Sequence, residues 1–367
     1  MSRKPFLLVH RYTLREFLHP FGIGLLTFTF VLTLHYLFLM MDLFLNRGVQ
    51  LFLVLKMALL VLPMLFPISL PMAALLASLM AYGRMTEEGE LTALKSSGCS
   101  LSQYTTPNIL FGLVLSFILI YFNLFLAPKA TGSFKDLHHS FIQKNPLALF
   151  APKVMNHFGE YKIIVETMDR KKKKLSGIGI YKLNNKGAPT RILAPEGTLE
   201  VSAKEGITLQ LLSGAIHQPN PDKEQEYTIT KFNKLALRIP AEIHETDRVL
   251  TPREMTYPEL RKKIKESVTK KTSTLPWQTE NNLRVALSFA PFVFVLLGTG
   301  IGVRIKKSSR STGIGLTLVI LLVYYGLVIL AISLSTQGVF SPLVLTWIPN
   351  LIMIGAGVLL LRKAAEF

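Results

Sequence analysis

The chain has 367 residues, of which 50% are hydrophobic and 17% are charged, and its formal net charge is +18 at pH 7. Its single cysteine, Cys99, excludes an intramolecular disulfide. The positive charge does not indicate a nucleic-acid binder, because the sequence contains neither a recognition helix nor an aromatic RNA-binding motif. We therefore expect no nucleic-acid partner.

Six apolar stretches, each long enough to cross a bilayer, lie in two blocks of three. They cover residues 21–45, 51–82, 105–126, 285–303, 313–335 and 343–361. The last four contain no Asp, Glu, Lys or Arg, so a helix formed from any of them has no polar face. Buried helices of a large soluble protein are the alternative. The pattern favours an α-helical polytopic membrane protein with six transmembrane helices.

The basic residues of the short loops predict the orientation in the membrane. Twelve fall on the side of the two termini, and only Arg47 falls in a short loop on the other side. The twelve are Arg3, Lys4, Arg11, Arg15, Arg84, Lys95, Arg304, Lys306, Lys307, Arg310, Arg362 and Lys363. We expect both termini in the cytoplasm and the long segment between the blocks on the outer side. The first apolar run is too long for a cleaved signal peptide and is expected to remain as an anchor.

The first 18 residues mix basic and apolar side chains. They predict either a short amphipathic helix on the inner leaflet or a solvated basic leader. Ionisable residues also lie within or beside the first two spans: His35, Asp42, Arg47 and Lys56. A charge inside a span costs a few kcal/mol, about 3 on insertion scales, so such residues usually face a cavity or a partner. For Arg47 and Lys56, reaching the lipid head groups is the alternative.

The loop after the second span predicts a short helix. Three carboxylates, Glu87, Glu88 and Glu90, precede the apolar pair Leu91 and Leu94, and Gly98 ends the segment. Acidic residues at a helix start favour the helix dipole, so helix stabilisation alone explains them. A short amphipathic helix on the cytoplasmic face could also be the binding site for a cytoplasmic motor domain.

Prolines and glycines predict the shape and packing of two spans. Pro63, Pro67 and Pro71 recur every four residues along one side of the second span, which predicts a bent or broken helix. Gly298 and Gly302 close the fourth span and predict close packing against another helix. The alternative, a nucleotide-binding loop, would need a preceding strand.

The segment between the blocks is predicted to form a β domain. Short runs suggest strands at 162–167, 176–182, 198–203, 207–212, 226–231 and 234–239, separated by turn residues near 184–187, 204–206 and 219–222. This favours an antiparallel sandwich or a partly open jelly roll. From residue 129 to 280 there are 26 Lys and Arg against 17 Asp and Glu. The basic surplus suits an anionic ligand, although the run 171–174 also fits a solvated turn.

After Pro252 a basic helix is predicted from Pro258 to about Lys270. We find no catalytic or metal-binding pattern: the sequence has no phosphate loop, no nucleophile elbow and no suitably spaced histidines. His35 and Asp42 could form an intramembrane catalytic pair, but seven residues separate them by about 10 Å along a helix. We therefore expect a protein that is not an enzyme.

Several motifs together resemble one known family, the lipopolysaccharide-export permeases, Lpt subunits F and G. The resemblance covers nearly the whole chain and rests on residues 71–76, 83–98, 310–313, 324–326 and 347–350. It implies a permease subunit that extracts lipopolysaccharide from the inner membrane of a Gram-negative bacterium. The implied partners are a second permease subunit, a cytoplasmic ATPase dimer, a periplasmic β-jelly-roll bridge protein, lipopolysaccharide and membrane lipid. No cofactor is expected on this chain, because ATP and Mg would bind the partner ATPase.

The resemblance also implies roles for particular residues. The loop 84–100 matches the coupling helix that docks on the ATPase. Its matching residues are Glu90 as the key acid, Glu88 as the second choice, Arg84, Leu91 and Leu94. Spans one and five match a lateral gate. Arg47, with Lys56 nearby, is the nearest match to the basic residues that meet lipid phosphates, and His35 stands where the family usually has lysines.

The expected organisation combines both arguments. Residues 1–128 hold the N-terminal helix and spans one to three, 129–255 the periplasmic jelly-roll-like domain, 256–280 a connecting helix, and 281–367 spans four to six. Moving a lipid through water costs about 0.8 kcal/mol per exposed CH₂. An exporter therefore needs a continuous apolar surface along which the acyl chains can move, here called an apolar slide. The β domain could offer one, although the same residues could simply fill its core: Ile163, Val165, Ile178, Ile180, Leu199, Val201, Leu209 and Leu211. The alternative function is a non-transporting scaffold whose β domain binds a protein.

Overall fold

A computed structural model describes most of the chain. The described residues are 4–45, 50–144, 150, 152–158, 160–169, 174–182, 190–202, 206–220, 223–239, 250–305 and 310–366. The chain divides into two compact units. The first comprises Met1–Tyr36, Leu59–Ser133 and Leu250–Phe367, and the second comprises Leu37–Ala58 and Phe134–Val249.

The helices follow the predicted hydropathy closely. They are α1 (Lys4–Leu45), α2 (Leu51–Glu87), α3 (Glu90–Ser96), α4 (Leu101–Tyr121), a π-helical turn (Phe122–Leu126), α5 (Ala127–Lys144), α6 (Tyr257–Thr269), α7 (Leu275–Ser288), α8 (Ala290–Gly302), α9 (Arg310–Thr336) and α10 (Pro342–Ala365). Among the described residues, five helical stretches are long and apolar enough to span a membrane, and α7 with α8 makes a sixth if this bent pair is one span. The expected helical membrane protein is confirmed.

Two predicted helices differ in detail. The N-terminal amphipathic segment is not separate, because α1 runs without a break from Lys4 into the first span. The fourth span is not one straight helix, because α7 and α8 meet at Phe289 with a bend of 43°. Pro291 lies just beyond the bend and has no backbone N–H to donate, which explains why the regular hydrogen bonding fails there.

The proline-rich second span is continuous. The helix α2 passes through Pro63, Pro67 and Pro71 without interruption, so the span is not broken there. The predicted kink at these prolines stays a prediction.

The inserted region is an antiparallel sheet. Its strands are β1 (Asn156–Phe158), β2 (Tyr161–Asp169), β3 (Lys174–Lys182), β4 (Thr190–Ser202), β5 (Gly206–Asn220) and β6 (Lys223–Ile239), and each pairs with the next along the chain. Two predicted strands, 226–231 and 234–239, are one strand, β6, because its pairing with β5 continues between them: Phe232 lies opposite Gly214 and Lys234 lies opposite Leu212. The described strands form one continuous antiparallel sheet, which confirms the inserted β domain.

One sheet can enclose a core because its strands change the side that faces inward. On β5 the buried Leu209 and Leu211 are odd-numbered, whereas Ile216, which packs against the same core, is even-numbered. A regular strand presents one parity to each face. Ser213 lies between them with φ of 54°, and on β3 Gly177 has φ of 63°. These residues leave the extended conformation and allow both halves of the sheet to contribute to one core.

That core is closed. Six of the residues predicted to line an apolar slide are at most 2% exposed: Ile163, Val165, Ile178, Ile180, Leu209 and Leu211. The side chains of Leu199 and Val201 lie outside the described residues. In this arrangement the described side chains fill the core of the sheet, which was the alternative interpretation, and they do not present an open apolar surface.

The predicted close packing through glycine is confirmed between α2 and α8. A methyl group added at Gly298 would lie 2.7 Å from Ser78 Cβ, and one added at Gly302 would lie 2.7 Å from Tyr82 Cβ. Real carbon atoms pack at about 3.5–4.0 Å. Glycine at both positions therefore allows the two helix backbones to approach closely, as is common in membrane bundles.

Candidate functional site

The short helix α3 is separated from its neighbours by two glycines in the left-handed conformation. Gly89, with φ of 74°, ends the long helix α2 and begins α3. Gly98, with φ of 80°, follows α3, and its N–H donates to the carbonyl of Lys95 at 2.9 Å. Residues with a side chain rarely adopt this conformation, so the two glycines fix where α3 starts and stops.

An apolar contact holds α3 on the helical bundle. Leu91 is only 4% exposed and packs in a cluster with Tyr82, Met85 and Tyr104, and Leu94 packs at the edge of the same cluster. The Tyr82 hydroxyl donates to the carbonyl of Tyr104 at 2.9 Å, which joins α2 to α4 beneath the cluster. The predicted apolar pair therefore anchors α3 to its own chain.

A group of charged residues surrounds Arg84, at the end of α2. We call Tyr12, Glu16, Arg84, Glu88 and Glu90 the Arg84 cluster. The guanidinium of Arg84 forms ion pairs with Glu16 and Glu88, each at 2.5 Å, and with Glu90 at 3.4 Å. The planar fork of arginine donors suits several carboxylates at once. One residue of the second span thus joins α3 to α1.

Glu90 is held by both of its carboxylate oxygens. Its Oε1 pairs with Arg84, and its Oε2 accepts a hydrogen bond from the Tyr12 hydroxyl at 2.7 Å. The side chain is 27% exposed, whereas that of Glu88 is 49% exposed. The key acid predicted for ATPase contact is therefore engaged within its own chain, and Glu88 is the more open of the two.

Two further hydrogen bonds connect this region to the ends of other spans. The Thr86 hydroxyl donates to the carbonyl of Gly302, the last residue of α8, at 3.0 Å. The Lys95 ammonium donates to the carbonyl of Ala364, near the end of α10, at 2.9 Å. Together with the Arg84 cluster, these bonds link α2 and α3 to the ends of α1, α8 and α10. All of these ends lie on one side of the bundle, the side where α1 begins and α10 ends.

The outer surface of this region is polar and made of small residues. Four exposed residues of α3 and its C-terminal neighbour share this character: Thr92, Ala93, Ser96 and Ser97. Glu87 and Glu88 are exposed just before α3. The surface therefore carries negative charge at one end and has little bulk at the other, so a partner can approach the helix backbone closely.

A second polar site surrounds the bend between α7 and α8. Asn350, on α10, donates to the carbonyl of Ala286 at 2.7 Å and accepts a hydrogen bond from the Tyr324 hydroxyl at 2.9 Å. Asn123, in the π-helical turn, donates to the Ser288 hydroxyl at 2.8 Å. The carbonyl of Ala286 lies in the last turn of α7, where carbonyl groups lack a regular helical partner, and Asn350 supplies one. Neighbouring spans therefore stabilise the bend.

Two of the three predicted head-group residues, His35 and Lys56, are described. His35, on α1, is exposed and packs edge-to-face with Tyr36, with ring centroids 5.6 Å apart. Lys56 is exposed near the start of α2. Arg47 lies outside the described residues. Because His35 and Lys56 belong to different compact units, their contact with one lipid stays a prediction.

Sequence reasoning missed the partners of the predicted residues. The sequence predicts either an amphipathic helix or a basic leader for the first 18 residues, which assigns no separate role to Tyr12 and Glu16. A pattern of charges inside spans does not include the neutral amides Asn108 and Asn123. A buried amide in an apolar span is a usable signal, because it needs a hydrogen-bond partner there. Among the described residues, no group of three or more His, Cys, Asp or Glu side chains could hold a metal ion.

Comparison with known proteins identifies the family. Residues 11–363 match the model of the family described as lipopolysaccharide export system permease LptF/LptG. The match covers nearly the whole chain, so the chain belongs to this family. A search of curated proteins found no match.

Proposed function

From this family membership we propose that the chain is the permease subunit of an ATP-binding-cassette exporter that extracts lipopolysaccharide from the inner membrane. It would pair with a second permease subunit and use a cytoplasmic ATPase dimer, which carries ATP and Mg. Both termini would lie in the cytoplasm, and the β domain would lie in the periplasm and pass lipid to a β-jelly-roll bridge protein.

The observation that carries the proposal is the way α3 is attached. A short helix with an exposed polar face, fixed by side chains to four spans, is a suitable contact for a motor domain. In this proposal Glu88 and the outer face of α3 meet the ATPase, Glu90 and Arg84 transmit the contact, and Leu91 and Leu94 hold α3 on the bundle.

The proposed lipid path begins at α1 and α9, the first and fifth spans. Both present large apolar side chains on their surfaces: Leu26 is 74% exposed, Phe30 62%, Leu322 76% and Ile329 67%. We propose that lipid acyl chains enter between these spans. Arg47, Lys56 and His35 would meet the phosphorylated head group from the outer side.

Replacing Glu90 by Ala or Lys tests the coupling role. We expect the variant to be expressed normally and to bind its ATPase, while lipopolysaccharide release per ATP hydrolysed falls. Glu266→Ala, which removes a carboxylate from α6, is the matched control and should behave as wild type. Wild-type release by the Glu90 variants would remove this residue from the coupling step.

Photo-crosslinking tests the lipid path with sites of similar exposure. A crosslinker at Phe30 or Leu322 should label lipopolysaccharide. Phe117 on α4 and Leu351 on α10 are each 60% exposed and serve as controls. Labelling confined to the two control positions would defeat the assignment of the gate.

A non-transporting scaffold is the alternative function. A scaffold has no reason to stimulate hydrolysis, so a co-purified ATPase whose activity depends on Glu90 would exclude it. A purified complex whose ATPase activity depends neither on Glu90 nor on lipopolysaccharide would favour the scaffold.

A further inference from the structure

We propose that Tyr12 and Arg84 are positioning residues that make Glu90 the mechanical link between α3 and the first span. The inference rests on the proposed function, because it assigns a route to the coupling step. It concerns how a movement of α3 reaches α1, and it does not concern where the ATPase binds.

Each carboxylate oxygen of Glu90 already has a partner in its own chain. One oxygen accepts from Tyr12 at 2.7 Å, and the other pairs with Arg84 at 3.4 Å. A cation brought by a partner would share these oxygens with Tyr12 and Arg84 and would weaken or shift their bonds. Such a change alters the force on α1, which carries Tyr12.

The helix α1 has two attachments to this cluster on one face. Tyr12 and Glu16 are four residues apart, so they lie on the same side of the helix. Tyr12 contacts Glu90, and Glu16 pairs with Arg84. Both attachments join elements that are distant in sequence. Glu90 directly follows Gly89 at the start of α3, and Arg84 lies in the last turn of α2.

The helix α1 connects the cluster to the first span and can transmit the movement. It is a continuous helix from Lys4 to Leu45, and it passes through Pro20 between the cluster and the span without interruption. Phe30 lies 18 residues beyond Tyr12, about 27 Å along the axis at 1.5 Å per residue. A shift at the cluster is therefore delivered to the lipid-facing part of the first span.

The cluster also has more carboxylates than cations. Arg84 faces three carboxylates, those of Glu16, Glu88 and Glu90. The hydroxyl of Tyr12 supplies the only additional donor to Glu90 among the contacts of the described residues. Losing that hydroxyl should therefore loosen α1 from α3 while leaving the outer face of α3 unchanged.

The test uses the purified permease–ATPase complex in nanodiscs that contain lipopolysaccharide, with a photo-crosslinker at Phe30. In the wild type, ATP should reduce lipid labelling at Phe30 as lipid leaves. In Tyr12→Phe, ATPase binding and basal hydrolysis should stay within about twofold of wild type. The rate of ATP-driven loss of labelling should fall about tenfold, as expected for a lost hydrogen bond to a charged group.

Matched variants separate positioning from a general loss of structure. Tyr121→Phe removes a hydroxyl from a tyrosine that is 60% exposed on α4, and it should behave as wild type. Arg84→Lys should retain part of the coupling, and Arg84→Met should retain less, because only lysine keeps the charge. Should Tyr12→Phe fail to assemble, Glu16→Gln tests the other attachment of α1 by the same measurement.

A double-mutant cycle gives the decisive result. If Tyr12 acts through Glu90, Tyr12→Phe should add nothing to the defect of Glu90→Gln. Additive defects, or a wild-type rate in both Tyr12→Phe and Glu16→Gln, would overturn the inference while leaving the exporter intact. A wild-type complex in which ATP never changes the labelling at Phe30 would instead overturn the proposed function, and this inference with it.

Discussion

The packing of α8 against α2 predicts that replacing glycine by alanine lowers the stability at one position and leaves it equal or raises it at another. Gly298→Ala places a methyl group 2.7 Å from Ser78 Cβ and 3.3 Å from the carbonyl oxygen of Leu75. Gly326→Ala, on α9, meets nothing within 4 Å. Both changes favour the helix by roughly 0.5–1 kcal/mol, because glycine loses more backbone entropy than alanine. Only the first requires the helices to separate.

The magnitude follows from the overlap. Carbon atoms pack at about 3.5–4.0 Å, so the backbones must move apart by about 1 Å. Overpacking of this kind costs about 1–3 kcal/mol, which exceeds the gain in helix propensity. For a unit of this size, each kcal/mol shifts Tm by about 2–4 °C. We expect Gly298→Ala to melt a few degrees lower than wild type, and Gly326→Ala to melt at or slightly above the wild-type temperature.

The assay is thermal unfolding in detergent micelles at one fixed heating rate, followed by the loss of monodisperse protein. The fixed rate matters because membrane proteins often unfold irreversibly, which makes an apparent Tm depend on the rate. Gly302→Ala should repeat the loss, since its methyl group would lie 2.7 Å from Tyr82 Cβ. Equal melting of Gly298→Ala and Gly326→Ala would refute close packing between α2 and α8.

Two further predictions concern polar groups outside the Arg84 cluster. Asn350→Leu removes hydrogen bonds to Ala286 and Tyr324 and should destabilise the fold by about 1 kcal/mol; a cycle with Tyr324→Phe should be non-additive, and additivity would contradict the shared bond. Hydrogen bonds from the hydroxyl and the N–H of Thr256 lower the pKa of Glu259. The carboxylate therefore stabilises the start of α6 above the ordinary pKa of glutamate, and this stabilisation is lost as the pH falls through the lowered value. Limited proteolysis of α6 should increase in acid for the wild type and respond less in Glu259→Gln.

The spans and the sheet could be predicted because each depends on a local rule. A bilayer requires about 20 apolar residues in a row, and a half-buried strand requires alternation. The change of parity at Ser213 could not be predicted, because it depends on a positive φ, which residues other than glycine rarely adopt. The bend at Phe289 had a sequence signal, Pro291, but the apolar composition around it concealed the break.

The partners of Glu90 in the Arg84 cluster could not be predicted from the sequence. The loop with Glu88 and Glu90 was predicted from its own residues, but the groups that hold Glu90 come from elsewhere. Tyr12 and Glu90 are separated by 78 positions. Which of many basic and aromatic residues near a terminus meets a given acid depends on how the helices pack, and hydropathy does not encode this choice.

The two polar sites share one helix. On α4, a stripe of buried residues at helical spacing includes Asn108, Gly112 and Ser116, and the stripe continues to Asn123 in the π-helical turn. Asn108 donates to the Tyr82 hydroxyl at 2.8 Å, next to α3. Ser116 accepts a hydrogen bond from the N–H of Phe292 at 3.2 Å, just beyond the bend.

This stripe extends over 15 residues, about 22 Å at 1.5 Å per residue. Its polar members satisfy backbone or hydroxyl groups of other spans at both ends, so α4 cannot slide or rotate without breaking hydrogen bonds at both. In an apolar environment such bonds have no water to replace them. A movement of α3 that disturbs Tyr82 therefore has two routes into the membrane: along α1 through Tyr12, and along α4 to the bend. Because the routes use different residues, Tyr12→Phe should leave the second intact, which is why we expect that variant to slow lipid release and not to abolish it.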